Sequence, residues 1–551
     1  MKVFLIIIIL LIAGSLIAIE IVELEFSGNL MLSDTDIQAV MISYTGMEYD
    51  QQIMLEDMQR IAELYSKKGY YLAKVMLPEV IVLSKSTLKV LVQIDEGSEI
   101  LVSEILFTGN NYLTTDKLSR ELKSPLVFLR DLPQYITELT GYYNQQGFYF
   151  AQIEIENIAL EEEQAVVMLR IREGDYCRFT RNIVRGNKVT KKKTILQLSR
   201  LGEIETPTPF QLQQAASNLL ARPYIKSCQI VPVDASTLLY EISEGNMTAF
   251  SGLVGYDNSV DAQGRFTGYI DVNFQNLGGT DRSAGFFWEN RQRQHTAIEL
   301  NYHESGWDYP VGADIQLYRE EMDSTWIEVS YDLEVYWYDL FNQTGIYLER
   351  EDIYPGSRRP VLIDETQFNK AGVFWRFSSL DHPRNPQTGY AWSLKYYYIW
   401  SRAGEAKSGR QAAETHYQKL IPLTGRWVVS AGLNYNLIEN KGITEFDKFE
   451  AGGSNSIRGF LEKQYAGFRV GWLNLEFRYI LSEEARLSLN ADVGNIESLQ
   501  NGNETIYSIG CGLRTVTPVG QLVLDFAVPN AEQGFKNPLE GIVHFGLETR
   551  F

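Results

Sequence analysis

The chain of 551 residues is 45% hydrophobic and 22% charged, near the globular average, which excludes a minimal binding module, a disordered chain and a collagen-like one. Fifty Lys and Arg against seventy Asp and Glu leave a formal charge of −20, and so acidic a chain is expected to bind no nucleic acid. Cys177, Cys228 and Cys511 make an odd set without CxxC spacing, so neither a disulfide framework nor a zinc site is implied.

Lys2, an apolar run from Val3 to Ile12 and the small residues Ala13, Gly14, Ser15 and Ala18 have the layout of a secretory signal peptide, so residues 1–18 are read as one, with cleavage expected after Ala18. No other stretch approaches eighteen consecutive apolar residues, so further membrane contact is expected through β-strands or partners.

The first half repeats itself three times. Phe26-Ser27-Gly28-Asn29 returns as Phe107-Thr108-Gly109-Asn110 and as Val184-Arg185-Gly186-Asn187. Each copy closes a short strand with a turn, and helices are expected to follow: Ser33 and Asp34 supply an N-cap and a first-turn acid, and residues 53, 54, 58, 61 and 64 an apolar stripe. Leu64 to Tyr71 is echoed by Tyr142 to Tyr149, each reading as a helix stopped by Gly69 or Gly147 and followed by an aromatic strand. A third signal, Asp95-Glu96-Gly97, is matched by Arg172-Glu173-Gly174 and Ser243-Glu244-Gly245. The third copy is the weakest, because Arg222-Pro223 replaces the Gly-aromatic step.

Strand, helix, helix, strand, strand, three times over, resembles POTRA domains, the periplasmic modules of outer-membrane assembly and secretion proteins. The boundaries expected from the repeats are 19–99, 100–175 and 176–246 for three POTRA units of α+β (βααββ) type, with 247–551 as a barrel. A three-stranded sheet leaves edges with unpaired N–H and C=O groups, which can capture extended chains by strand addition. The expected client-binding edges are the strands near Tyr70–Leu77, Phe148–Ile155 and Ser227–Val233, with Tyr70, Tyr71, Phe148, Tyr149 and Gln229 as their marker residues.

After Gly245 the composition changes: all nine tryptophans lie between Trp288 and Trp472. Tryptophan favours the bilayer interface. Ile327 to Val335 alternates strictly, with apolar side chains on one face and Glu328, Ser330, Asp332 and Glu334 on the other, and Leu473 to Tyr479 repeats the pattern. One face suits lipid and the other water, so residues 248–551 predict an all-β transmembrane antiparallel barrel of about 16 strands. The terminal segment, with Val543, Phe545, Leu547 and Phe551 on one face, resembles the C-terminal signal of outer-membrane barrels, with Thr549 departing from the pattern.

Gly452-Gly453-Ser454-Asn455-Ser456-Ile457-Arg458-Gly459-Phe460 resembles the lumenal-loop motif, (V/I)RG(F/Y), of the bacterial surface antigen superfamily, the BamA/TamA type of outer-membrane assembly factor. The resemblance implies an extracellular loop re-entering the lumen, its arginine paired with an acid on the inner wall. Arg458 would be that arginine and Asp492 the acid, since the parity that sends Leu487, Leu489, Ala491 and Val493 to lipid sends Asp492 inward. Asn490 stands where the family has an apolar or aromatic residue. Gly510 to Asp525 resembles the family's late hairpin, GxGLRxxTPxGxLxxD, and its flanking strands would bring Arg514 near Asp525; Glu476 is a further expected lumenal carboxylate.

No HExxH, GxSxG or GxxxxGK[ST] occurs, so no metal, cofactor or catalytic activity is expected, and the lumenal acids read as the lining of a water-filled interior. The resemblance implies an outer-membrane factor that folds and inserts other barrel polypeptides at a weak seam between the first and last barrel strands, marked by Gly252, Gly255, Gly546 and Phe551. Its expected partners are unfolded outer-membrane polypeptides, outer-membrane lipid, and periplasmic or lipoprotein accessory factors. The alternative is a two-partner-type secretion pore, a class that carries two POTRA units behind a plug helix.

Overall fold

The computed structural model describes residues 19–97, 100–122, 126–161, 164–202, 204–257, 265–291, 295–305, 307–322, 325–356, 364–439, 443, 446–499, 502–517, 520–531 and 534–548. The predicted signal peptide, Phe551 and the Pro518-Val519 pair of the late hairpin lie outside them. The chain divides into two compact units, one ending at Cys177 and the other beginning at Arg178.

The first unit holds two modules. One comprises β1 (Glu20–Ser27), α1 (Asp34–Gln38), α2 (Gln51–Lys67), β2 (Lys74–Val75), β3 (Glu79–Val82) and β4 (Thr87–Asp95). The other comprises β5 (Leu101–Thr108), α3 (Thr115–Glu121), α4 (Leu132–Gln145), β6 (Gln152–Glu161) and β7 (Gln164–Arg172). In each, the last strand is central: β4 pairs parallel with β1 and antiparallel with β2 and β3, and β7 lies between β5 and β6 in the same sense. Val90, Val92, Val167 and Leu169 on these central strands are buried against Ile61 and Tyr65 of α2 or Leu139 and Tyr143 of α4. The Ser33 hydroxyl and the Asp36 carboxylate close a reciprocal capping box on α1.

The second unit begins with a third module, β8 (Arg181–Arg185), α5 (Lys192–Ser199), α6 (Pro209–Leu220), β9 (Ile225–Asp234) and β10 (Thr237–Glu244), in the sheet order β8-β10-β9. The three repeated sequence signals converge in space. Gly28, Gly109 and Gly186 all have left-handed φ, and a Cβ on any of them would stand 2.0, 2.2 or 1.9 Å from the carbonyl oxygen of Ile94, Ile171 or Ile242 on the central strand. The following asparagine donates back to the loop, Asn29 to the Leu32 carbonyl, Asn110 to that of Leu113 and Asn187 to that of Thr190. The glutamate that closes each central strand then accepts backbone N–H groups of the same loop: Glu96 from Met31, Glu173 from Asn111, Tyr112 and Leu113, and Glu244 from Lys188, Val189 and Thr190.

The aromatic steps are corrected. Tyr70, Tyr71, Phe148 and Tyr149 precede strands that start at Lys74 and Gln152, and do not lie on them. Gly69 and Gly147 take left-handed φ, and the N–H groups of Tyr70 and Phe148 donate back to the Tyr65 and Tyr143 carbonyls, the hydrogen bond of a Schellman helix stop. That geometry turns the next ring onto the helix, Tyr70 against Tyr65 and Phe148 against Tyr143, with Phe148 only 4% exposed. Gln229 does lie on β9, an edge strand of its sheet.

Sixteen strands follow, from Thr248–Asp257 to Ile542–Glu548, all antiparallel and paired in chain order as the wall of the barrel. Period-two alternation sorts their faces. On strand Arg469–Ser482, Leu473, Leu475 and Phe477 are exposed outward, while Asn474, Glu476 and Arg478 turn inward. The third module packs against the turns on its side of this wall. Thr194 donates to the Gly279 carbonyl at 2.8 Å, Gln197 to that of Trp307 at 2.7 Å, Asn218 to that of Leu340 at 3.0 Å and Ser217 to that of Leu380 at 3.1 Å, so four successive turns are engaged.

Candidate functional site

Between strands Trp427–Ile438 and Arg469–Ser482 the chain forms a long loop whose short hairpin, Phe449–Ala451 with Tyr465–Gly467, frames the glycine-rich motif. Gly452, Gly453 and Gly459 take left-handed φ there. At Gly452 the fold leaves no choice, because a Cβ would stand 2.5 Å from the Leu461 carbonyl oxygen. Ile457 is fully buried in an apolar cluster with Val470, Trp472, Ile496 and Ile506, and Phe460 packs edge-on against Tyr465 at 5.4 Å. These contacts hold the loop against the inner wall, with Arg458 at its tip.

Arg458 is 2% exposed and its donors are taken by two carboxylates. Nε donates to Asp492 Oδ2 at 2.8 Å, Nη2 to Asp492 Oδ1 at 2.6 Å and Nη1 to Glu476 Oε1 at 2.7 Å, while the Arg458 backbone N–H adds 3.0 Å to Oδ2. Asn474 joins loop and wall, donating to the Ser456 carbonyl and to Asp492. Glu476 also accepts from Arg478 at 2.7 Å. The buried Asn490, with its amide oriented to satisfy both ends, accepts from Arg458 at 3.2 Å, so the polar departure from the family pattern becomes part of this network. Burial strengthens such pairs and makes the loss of one partner costly, so the arrangement holds the loop in position against the wall. Arg514 and Asp525 face each other more loosely, at 3.7 Å.

A second buried arginine has no counterpart among the expected residues. Arg410, 0% exposed on strand Ala406–Pro422, donates through Nε to Asp447 in the base of the same loop at 3.0 Å and through Nη1 to the Ser401 and Ser408 hydroxyls. Inward parity on its strand was the signal that could have found Arg410. Nothing periodic marks Asp447.

The two ends of the ladder form the other candidate feature. Among the described residues no hydrogen-bonded ladder joins the first barrel strand to the last. Gly252 and Gly255 lie on the first strand and Gly546 on the last, where a Cβ at 546 would meet nothing within 4 Å. Phe250 is 72% exposed and Phe545 74%, so both lips carry unpacked aromatic side chains. The lock also reaches one lip directly: the Gly459 N–H donates to Nε2 of His544 on the last strand at 3.2 Å.

Comparison with known proteins fits this architecture. The Omp85 superfamily domain matches residues 255–551, and the POTRA family of surface antigen variable number repeats matches residues 19–97. The chain is 23% identical over 467 residues to the outer membrane protein assembly factor BamA of Nitratidesulfovibrio vulgaris, covering 77% of this chain and 58% of that protein, so it spans less than two thirds of that relative. It is 20% identical over 620 residues to BamA of Neisseria meningitidis serogroup B, covering 93% of this chain and 76% of that one. Among solved structures, BamA of Haemophilus ducreyi lacking POTRA domains 1–3 aligns with a TM-score of 0.43 at 15% identity, over 79% of this chain and 98% of that one. CdiB from Escherichia coli aligns with a TM-score of 0.45 at 15% identity, over 90% and 96%. The match over more than half of its length makes the chain a member of the Omp85 superfamily, an outer-membrane barrel with POTRA modules on its periplasmic side.

Proposed function

We propose that the chain is an outer-membrane protein assembly factor, which receives unfolded barrel polypeptides from the periplasm and assists their folding and insertion at the seam between the first and last barrel strands. The observation that carries this reading is the pair of unladdered lips, whose free backbone groups offer a template for an incoming strand. The bond from Gly459 to His544 supports a coupling between the arginine lock and the lip that a client would pair with. Among the POTRA edges, β2, β6 and β9 remain the proposed capture strands, with Gln229 on the last of them. Accessory lipoproteins or periplasmic factors belong to the same proposal.

The test is a covalent closure. Gly252→Cys and Gly546→Cys, introduced together in a background lacking the three native cysteines, are crosslinked in the membrane and folding of newly made barrel proteins is followed by heat-modifiable gel migration. Loss of client folding on crosslinking, restored by cleaving the link, is expected. Undiminished folding with the seam closed would sink the lateral-opening reading. Depletion separates function classes: general loss of barrel proteins fits assembly, whereas loss of a single exported adhesin fits the secretion-pore alternative.

A further inference from the structure

Below the arginine lock, the inner wall carries a cluster of positive charge that its carboxylates do not match. Arg458, Arg478, Arg486 and Arg514 border one side of a lumenal cavity of about 720 Å³ that Arg384 and the Glu334-paired Arg376 also line, and among the described residues Glu476 is the one carboxylate in its lining. Asp492 and Asp525 stand behind it, paired with Arg458 and Arg514. Glu476 is shared by Arg458 and Arg478, so four guanidinium groups face three carboxylates.

The excess falls on Arg486. It is 5% exposed, its Nη1 donates to the Arg384 carbonyl at 3.2 Å and to Asn385 Oδ1 at 3.0 Å, and among the described residues no carboxylate lies at ion-pair distance. Its Nε and Nη2 have no protein acceptor among the described residues. The strand register makes the position worse, since Arg486 on strand Ala485–Ser498 stands directly opposite Arg514 on strand Gly502–Thr517, with Arg478 on its diagonal. Like charges directly opposite on neighbouring strands repel, and Arg514 is held by its carboxylate only at 3.7 Å. A buried, uncompensated guanidinium is costly, and its planar fork matches an oxyanion with two acceptor oxygens.

We propose that this wall is an anion-binding site, in which a phosphate-class oxyanion bridges Arg486 and Arg514 from the cavity side. The phosphate comes either free from solution or from a lipid headgroup entering the lumen. The site is independent of the assembly reading, and it holds for a secretion pore as well.

The experiment uses the full chain in a detergent without phosphorus, with thermal unfolding followed at matched ionic strength in sodium chloride, inorganic phosphate or short-chain phosphatidylglycerol. A midpoint rise of about 2 °C or more with inorganic phosphate is expected for a free ion, and a rise with the lipid alone for a headgroup; either supports the site. Arg486→Gln, checked for folding by heat-modifiable migration, should lose the response. Should that variant fail to fold, Arg514→Lys keeps the charge but removes the fork, and should weaken the response. No shift with either probe, or variants that respond as the parent does, would overturn the proposal.

Discussion

The first two modules and the third share one internal lock, and differ where the third meets the barrel. In the first two, the tyrosine four residues before the helix-stopping glycine lies in the core with its hydroxyl on the closing glutamate, Tyr65 on Glu96 at 3.0 Å and Tyr143 on Glu173 at 3.1 Å. The third module has Leu219 at that place, so its Glu244 receives no tyrosine hydroxyl and is held by the loop itself, through the backbone N–H groups of Lys188, Val189 and Thr190 and the Thr190 side chain. The ring that follows the helix stop also has another use. Tyr224, equivalent to Tyr70 and Phe148, donates its hydroxyl to Asp281 in a barrel turn at 2.6 Å, and Arg222 pairs with the same carboxylate at 3.0 Å. The parts of the repeat that hold the module to itself are kept, and the segment that lost the repeat has become a docking element.

Three changes would break or sharpen that contrast. Asp281→Ala leaves Arg222 without its carboxylate and strips the Tyr224 hydroxyl of its acceptor, at a cost of about 3 kcal/mol; thermal unfolding of the full chain should fall accordingly, whereas Tyr70→Phe should leave it unchanged. Alanine at Gly28, Gly109 or Gly186 forces a Cβ into a carbonyl at a left-handed φ and should cost about 2 kcal/mol in each module. Equal losses by urea unfolding confirm a shared lock, and a much smaller loss at one site would remove that copy from it. The smallest effect is on acid stability. Burial raises the Glu244 carboxyl, but hydrogen bonds from Thr190, Val189 and Lys188 outweigh it and hold the group below its ordinary value of 4.5. A folded-state value below the unfolded one gives stability that is present above 4.5 and is lost as pH falls through the folded value. Glu244→Gln should therefore flatten the acid limb of a pH–stability curve for the third module.

The legible features are those written in local strings or in parity. Gly-Asn and the closing glutamate were visible as repeats because each needs one residue type at a fixed step, and the wall was visible because lipid on one side and water on the other impose a period of two. Parity also put Asp492 on the same side as the loop arginine. The aromatic steps misled because a helix stop and the start of a strand both favour glycine followed by a ring, and the hydrogen bond from Tyr70 back to Tyr65 decides between them. Register was not legible at all. Parity turns both Arg486 and Arg514 inward, but only the pairing of two strands places one guanidinium across from the other. Asp447 and Asp281 sit in turns without periodicity, far in sequence from the arginines they hold.

The number of strands in the wall constrains what can enter it. With sixteen antiparallel strands, the first runs away from the periplasm and the last returns to it, so the two lips point in opposite directions. A lone guest strand aligned antiparallel to one lip is necessarily parallel to the other, whereas a hairpin matches both. An all-antiparallel hybrid sheet can therefore grow across the gap only in steps of two strands, and an odd guest must hang from one side until its successor arrives.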